Sequence, residues 1–305
     1  MLHRCTCVRP SPALARALVP LASSSPRITS PASRRPHSTS SRPVPRQEDL
    51  PTTDASLYPG HVPVNPFQRA LLTLGSAVMG LVDTHRHDMI ATLSETSSPL
   101  ASLRRLQSHL RSSPSGRALL RTRPTLNSAT VSLASLAALP PGTLGHAYAA
   151  WLARNRVSPD TRDPVRYVPG HSDGELAYVM RRYRESHDLY HVVLGFGVSL
   201  PAEVVVKWFE ASNFGLPVAV LSGLVGPLRM ERDERRRLWR TYGPWALRAG
   251  ARAQCLIGVP WEQEWETPLD ELRQKWGVER PPVGFKAWRD EGRRLEALRR
   301  NAEGV

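Results

Sequence analysis

The sequence predicts an all-α fold, a single helical domain that follows a disordered N-terminal leader and precedes a peripheral C-terminal helix. Apolar residues recur three and four positions apart through most of the chain, which is the spacing of one helix face. Cap residues, prolines and glycines divide this pattern into helix-length segments, and no alternating run is long enough to require a sheet. Hydrophobic residues make up 41% of the 305 positions, enough for a sizeable core. We place the helical domain at residues 64–280.

Residues 1–47 differ in composition from the rest of the chain. They hold eight arginines, many serines and no acidic residue, which is typical of a mitochondrial transit peptide. Because these arginines supply eight charges of the net +14, the positive charge gives no reason to expect a nucleic-acid partner. Cys5 and Cys7 would leave with this leader, and Cys255 alone cannot form an intramolecular disulfide. A proline-rich linker, residues 48–63, follows.

Capping signals mark the first helices. Asn65 is a favoured N-cap and Pro66 a favoured first residue, so a helix is predicted to begin there. Residues 100–113 are predicted to form a short amphipathic helix, and Thr143 is predicted to cap the next one. Residues 158–174 are rich in Pro, Gly, Asp and Ser, which predicts a loop.

Later helices end and restart at similar signals. Gly215 followed by Pro217 marks the end of one helix and the beginning of the next. Thr267 is predicted to cap a helix that has Pro268 in its first turn and Gly277 as its terminator.

Two further segments bear on membranes and on the chain end. The apolar stretch 211–228 is interrupted by glycines and prolines, so we predict no membrane span there. Contact of this stretch with a membrane surface stays open. Residues 281–305 are predicted to form a charged tail helix.

Metal-binding side chains occur together in the segment "RRYRESHDLYHVVLG". A single long helix is predicted over residues 172–195, and one face of it is an apolar stripe that contains both histidines. The stripe consists of Leu176, Met180, Tyr183, His187, His191 and Leu194. Histidines at positions i and i+4 can direct their imidazoles at one point. Asp188, three residues before His191, can lean towards the same point.

The next helix brings a fourth candidate ligand to this point. Glycines at 195 and 197 end the first helix, and Pro201 stands in the first turn of the second. Because the connection is short, we expect antiparallel neighbours in which His191 faces Glu203. Two imidazoles and two carboxylates around one point suit Zn²⁺, with Fe²⁺ as the less favoured alternative.

Each of these residues also has an ordinary structural explanation. A histidine on an apolar stripe is often a hydrogen-bonded core residue. Asp188 could pair with Arg184 one turn earlier, and Glu203 could pair with Lys207. The pattern differs from that of zinc peptidases, in which a glutamate follows the first histidine. Burying all these polar groups unpaired would be costly, which favours a metal site.

The same four positions carry a resemblance to a known family. An H-D-x-x-H motif, then eleven residues and a glutamate, resembles the signature of the mitochondrial coenzyme Q (ubiquinone) biosynthesis protein 4 family; the motif comprises His187, Asp188, His191 and Glu203. Blocks such as "SPDTRDPVRYV", "VVVKWFEASNFGLP" and "YGPWALRAGARA" also resemble that family, in order, over about residues 58–278. The segment "LSETSS", in place of a small turn with glycine, and a longer tail are departures that leave the signature intact.

The resemblance implies a function, a location and partners. The function would be ubiquinone biosynthesis by a carbon–carbon lyase, a 4-hydroxy-3-methoxy-5-polyprenylbenzoate decarboxylase that acts at C1, with hydroxylation of the same carbon left open. The location would be the matrix side of the mitochondrial inner membrane, bound peripherally to its lipid surface. The partners would be the polyprenylated aromatic substrate and other coenzyme Q biosynthesis proteins in a multi-subunit complex, and homo-oligomers are compatible with it.

The resemblance also implies that zinc binds through the four signature residues. For the chemistry, the proton could come from a nearby acid, for which Asp188 is the candidate, or from a metal-bound water, and Arg184 is the candidate that holds the substrate's carboxylate. The alternative function is that of a non-catalytic, lipid-binding scaffold that organises the same complex.

Overall fold

The computed structural model describes residues 57–82, 86–169 and 174–303, all of which belong to one compact unit. The regular structure of these residues consists of thirteen α-helices and four short 3₁₀ helices, without a β-strand. The prediction of an all-α fold is therefore confirmed. The predicted transit peptide and most of the predicted linker lie outside the described residues.

The helices follow one another through short connections. The α-helices are α1 (Pro66–Val82), α2 (His87–Ser97), α3 (Leu100–Ser112), α4 (Pro114–Thr122), α5 (Leu133–Ala137), α6 (Leu144–Asn155), α7 (Glu175–Glu185), α8 (His187–Leu194), α9 (Leu200–Phe214), α10 (Pro217–Val225), α11 (Arg232–Arg252), α12 (Leu269–Trp276) and α13 (Phe285–Glu303). The 3₁₀ helices are Pro159–Thr161, Gly226–Arg229, Leu256–Gly258 and Trp261–Gln263.

Several predicted helix boundaries are confirmed. The Asn65 side chain accepts a hydrogen bond from the Gln68 amide at 2.8 Å and so caps α1. The Thr143 hydroxyl accepts from the His146 amide at 3.4 Å at the start of α6. Gly215 ends α9 with a left-handed backbone, φ +62°, a conformation that glycine adopts without strain.

Two predictions of local structure are wrong. Thr267 does not cap α12, because Pro268 holds the N-cap position and the Thr267 hydroxyl donates to Glu264 at 2.9 Å. The single helix predicted over residues 172–195 is interrupted, since Ser186, with ψ −7°, separates α7 from α8. The apolar spacing continues across this break, so the hydrophobic pattern alone does not reveal it.

Helix α9 lies in the core and positions the elements around it. Val205, Val206 and Phe209 have no exposed surface, and α9 packs against α10 and α11. The approach of α11 is so close that a Cβ at Gly250 would lie 2.3 Å from the Phe209 carbonyl oxygen. Helix α8 packs against α6 and the beginning of α9, so its inward face meets the first turns of α9.

Helix α1 turns its apolar stripe outwards. Six large side chains on it are between 38% and 76% exposed: Phe67, Leu71, Leu74, Val78, Met79 and Val82. The helix packs on α2 through its other side. None of the helices in the described residues is both long enough and apolar enough to cross a membrane.

Candidate metal centre

Helix α8 carries two histidines one turn apart on its inward side. The Nε2 atoms of His187 and His191 are 3.1 Å apart. His191 is 1% exposed, and its ring packs against Trp151 with 5.4 Å between the ring centroids. The predicted convergence of the two imidazoles is therefore present.

Glu203 reaches the same point from the first turn of α9. Its Oε1 atom is 3.2 Å from Nε2 of His187, and its Oε2 atom is 3.0 Å from Nε2 of His191. Gly195, with φ +81°, ends α8, and Pro201 lies in the first turn of α9, so only a short connection separates the helices. The predicted facing of His191 and Glu203 is confirmed.

The spacing of these ligand atoms fits one divalent cation. Tetrahedral ligands at the usual Zn–N and Zn–O bond lengths lie about 3.3 Å from one another. The two Nε2 atoms are 3.1 Å apart, and the nearest carboxylate oxygen of Glu203 is a different one for each histidine, at 3.2 Å from His187 and 3.0 Å from His191, distances close to that value. Two imidazoles and a carboxylate are ligands that both Zn²⁺ and Fe²⁺ accept. In the part of the chain that the structure describes, His187, His191 and Glu203 are the one such group of His, Cys, Asp or Glu side chains.

A second glutamate, which the sequence analysis missed, stands behind His187. Glu210, on α9, has no exposed surface, and its Oε1 atom is 2.6 Å from Nδ1 of His187. Its Oε2 atom accepts hydrogen bonds from the Tyr183 hydroxyl at 2.6 Å and from Lys207 Nζ at 2.8 Å. Glu203, Lys207 and Glu210 follow at spacings of four and three, which places them on one face of α9. That spacing is the only sequence signal that could have drawn attention to Glu210.

Opposing charges set the pKa values of this cluster. Burial alone would raise the pKa of Glu210, but Lys207 and His187 outweigh it and lower this pKa to about 2. Burial also acts to raise the pKa of Glu203, yet the imidazoles and Lys207 hold it well below its ordinary value. Burial and Lys207 act to lower the pKa of His187, but the two carboxylates outweigh them and raise it. Both glutamates are therefore ionised at neutral pH, which suits the binding of a cation.

Asp188, the fourth predicted ligand, contacts a different partner. It is 5% exposed, and its Oδ1 atom is 2.5 Å from Nη2 of Arg162. Arg162 follows the 3₁₀ helix Pro159–Thr161 and its side chain is 26% exposed, so the pair lies near the surface. The structure thus brings three of the four predicted ligands together, and metal binding or proton transfer by Asp188 stays a prediction.

Arg184, the predicted substrate-binding residue, forms hydrogen bonds with other elements of the fold. It is 8% exposed, its Nη1 atom donates to Glu95 at 2.7 Å, and its Nη2 atom donates to the Asp163 carbonyl at 2.7 Å. These contacts tie α7 to α2 and to the loop that carries Arg162. Its role in substrate binding stays a prediction, and Arg162 is a second candidate that the sequence analysis did not single out.

Fold and site together define an all-helical protein, in its described residues, with a partly buried His, His and Glu group suited to one divalent cation. The family model for the coenzyme Q (ubiquinone) biosynthesis protein Coq4 matches residues 58–282. The chain therefore belongs to the Coq4 family, as the signature predicted, and its role is in ubiquinone biosynthesis.

Similar proteins span most of the chain. The mitochondrial ubiquinone biosynthesis protein COQ4 homolog of Danio rerio is 44% identical over 234 residues, which cover 77% of this chain and 85% of that protein. The mitochondrial coq4 protein of Schizosaccharomyces japonicus is 45% identical over 226 residues, 74% of this chain and 93% of that protein. A crystal structure of a Nostoc punctiforme protein assigned to ubiquinone biosynthesis matches with a TM-score of 0.55 and 23% identity, over 69% of this chain and 98% of that one, which shows a shared fold.

Proposed function

We propose that this protein is a metal-dependent carbon–carbon lyase that removes the C1 carboxyl of a polyprenylated 4-hydroxy-3-methoxybenzoate. The observation that carries the proposal is the convergence of His187, His191 and Glu203 on one point, with the two Nε2 atoms 3.1 Å apart and each of them 3.0 or 3.2 Å from an oxygen of Glu203. These three residues would hold Zn²⁺, or Fe²⁺ as the alternative, and Asp188 is the proposed fourth ligand. The protein acts in a complex with other coenzyme Q biosynthesis proteins.

The chemistry of the ring explains why an acid and a cation are useful here. The hydroxyl para to C1 donates electron density to that carbon, so C1 can take up a proton and release carbon dioxide as aromaticity returns. A bound divalent cation supplies Lewis acidity towards the oxygens of the substrate.

Asp188 is the proposed source of the proton at C1. In the structure its carboxylate is paired with Arg162. A substrate carboxylate that took over this guanidinium would release Asp188 from its counter-ion. Arg162, whose side chain is 26% exposed, is therefore our candidate for binding the carboxylate of the substrate. Arg184 remains the candidate proposed from the sequence.

Protein loaded with Zn²⁺ is expected to release carbon dioxide from a short-tailed prenylated 4-hydroxy-3-methoxybenzoate. A chelator should abolish this release and added Zn²⁺ should restore it, because the two histidines and Glu203 would lose and regain the cation. Carbon dioxide and oxygen should be followed together. Release without oxygen uptake supports simple protonation at C1, and equal oxygen uptake indicates coupled hydroxylation. Absence of turnover by the metal-loaded protein with its partners present would favour the scaffold instead.

We also propose peripheral binding to the matrix side of the mitochondrial inner membrane, in line with the mitochondrial names of the relatives. Helix α10 contains no charged residue. The α10 surface, as we name it, comprises four apolar side chains of α10 and of the following 3₁₀ helix that are 40% to 68% exposed: Val220, Leu221, Leu224 and Leu228. Exposed arginines follow directly at Arg229, Arg232 and Arg236, and none of them forms an ion pair within the described residues. Apolar side chains beside unpaired arginines suit a bilayer with anionic headgroups.

Replacing Leu224 and Leu228 with glutamine is expected to weaken binding to vesicles of phosphatidylcholine and cardiolipin by about tenfold or more, because both leucines would lose burial in lipid. Sedimentation with the vesicles measures the bound fraction. In the matched control, glutamine replaces Leu295 and Leu298 on α13, whose side chains are 45% and 55% exposed. Unchanged binding of the α10 variant, or an equal loss in the control, would contradict this assignment.

A further inference from the structure

Glu210 lies at the centre of a buried set of hydrogen-bond donors. Its two oxygens accept from His187 Nδ1 at 2.6 Å, from the Tyr183 hydroxyl at 2.6 Å and from Lys207 Nζ at 2.8 Å. Glu210 is 0% exposed, Tyr183 3% and Lys207 8%. A carboxylate buried without such partners would be strongly destabilising. The three donors therefore hold it ionised and in one orientation.

The contact with Glu210 determines which nitrogen of His187 carries hydrogen. An ionised carboxylate only accepts hydrogen bonds, so Nδ1 must be the donor at 2.6 Å. In the neutral ring, Nε2 then keeps its lone pair, and this atom is the one that faces His191 and Glu203. Lys207 Nζ lies 3.3 Å from Nδ1 but cannot donate to a nitrogen that bears hydrogen, so its bond goes to Glu210.

His191 is held in a different way. Its Nδ1 atom is buried and has no hydrogen-bond partner among the described residues. The ring is instead positioned by packing against Trp151. Of the two candidate histidine ligands, His187 is thus the one whose Nδ1 atom contacts a charged side chain.

We propose that Glu210 is a positioning residue for the metal site. It holds His187 through Nδ1 and strengthens the binding of a divalent cation at Nε2, while Tyr183 and Lys207 keep the carboxylate in place. Lys207 Nζ also lies 3.6 Å from Oε1 of Glu203. The ammonium of Lys207 therefore contacts both Glu203, a candidate metal ligand, and Glu210, which holds the candidate ligand His187. This inference rests on the proposed metal-binding function.

The test replaces Glu210 with glutamine, which keeps the shape of the side chain and removes its charge. Zn²⁺ affinity, measured by competition with a chromophoric chelator, is expected to fall by about 10- to 100-fold, the usual effect of losing such a partner. The visible absorption of the Co²⁺-loaded protein should change as well, since His187 would bind with a different orientation. Tyr183→Phe, which removes one of the three donors, should lower the affinity by a smaller factor.

Glu262→Gln is the matched control. Glu262 is the carboxylate partner of the fully buried Arg182 on α7 and has no contact with His187 in the described residues. This variant should lower the Tm and leave the Zn²⁺ affinity and Co²⁺ spectrum unchanged.

The outcomes separate this inference from the proposed function. If wild type binds Zn²⁺ and folded Glu210→Gln binds it equally well with the same Co²⁺ spectrum, Glu210 has no positioning role, and the metal site stands. If wild type binds neither ion, both proposals fall. If Glu210→Gln does not fold, Tyr183→Phe decides, because an unchanged affinity in that variant overturns the inference.

Discussion

Replacing both His187 and His191 with alanine is expected to remove the bound metal and reduce decarboxylation to background. Their Nε2 atoms lie 3.2 and 3.0 Å from the two oxygens of Glu203, and together the three side chains form the candidate site. Losing a single outer partner of a ligand already costs about 10- to 100-fold in metal affinity. The loss of two direct ligands should cost considerably more, because only Glu203 and the proposed fourth ligand, Asp188, would remain.

Elemental analysis after dialysis measures this loss directly. A double variant at His109 and His146 is the control, because these histidines lie on α3 and α6 and take no part in the candidate metal group. It should retain the metal content of wild type. Circular dichroism must show that both variants are folded. Equal metal in wild type and in the His187→Ala, His191→Ala protein would rule the site out.

Much of the candidate site follows from local rules. Two histidines four residues apart lie on one helix face whatever the rest of the chain does. A short connection ended by Gly195 then brings the first turn of α9, with Glu203, beside them. The break at Ser186 does not disturb this arrangement, since both histidines lie on the same side of it.

Partners distant in the chain could not be predicted in this way. Helical spacing suggested Arg184 as the partner of Asp188, but Arg184 pairs with Glu95, which lies 89 residues away in the chain. Asp188 pairs instead with Arg162, which comes from a loop. The periodic spacing of residues identifies neighbours within one helix, but it does not show which loop packs against that helix.

The sequence pattern also does not show whether a given helix face is buried or exposed to solvent. The spacing of Glu203, Lys207 and Glu210 is equally that of a solvated helix face, and only the packing of α9 shows that Glu210 is buried. Conversely, the apolar stripe of α1 has the spacing of a core face, yet Phe67 is 76% exposed. A stripe predicts that a helix has an apolar side, whereas its burial depends on what the rest of the fold places against it.

The exchange of Asp188 for asparagine is expected to lower kcat for decarboxylation by about 10²- to 10⁴-fold, the usual contribution of a positioned proton donor. Asparagine has nearly the same shape, and its oxygen can still accept the hydrogen bond from Arg162 that Asp188 accepts now. The fold should therefore survive, while the group that could deliver a proton to C1 is gone. Asp160→Asn, in the same loop region, is the matched control and should keep its activity.

Measuring metal content beside turnover separates the two roles proposed for Asp188. If it is only the acid, Asp188→Asn protein keeps its Zn²⁺ and loses kcat. If it is also a ligand, both Zn²⁺ affinity and kcat fall, and saturating metal restores part of the rate. A folded Asp188→Asn protein that keeps its metal, assembles with its partners and decarboxylates at the wild-type rate would show that Asp188 has no chemical role. Another group near the aromatic ring of the substrate would then have to supply the proton. The ion pair between Asp188 and Arg162 would have only a structural role.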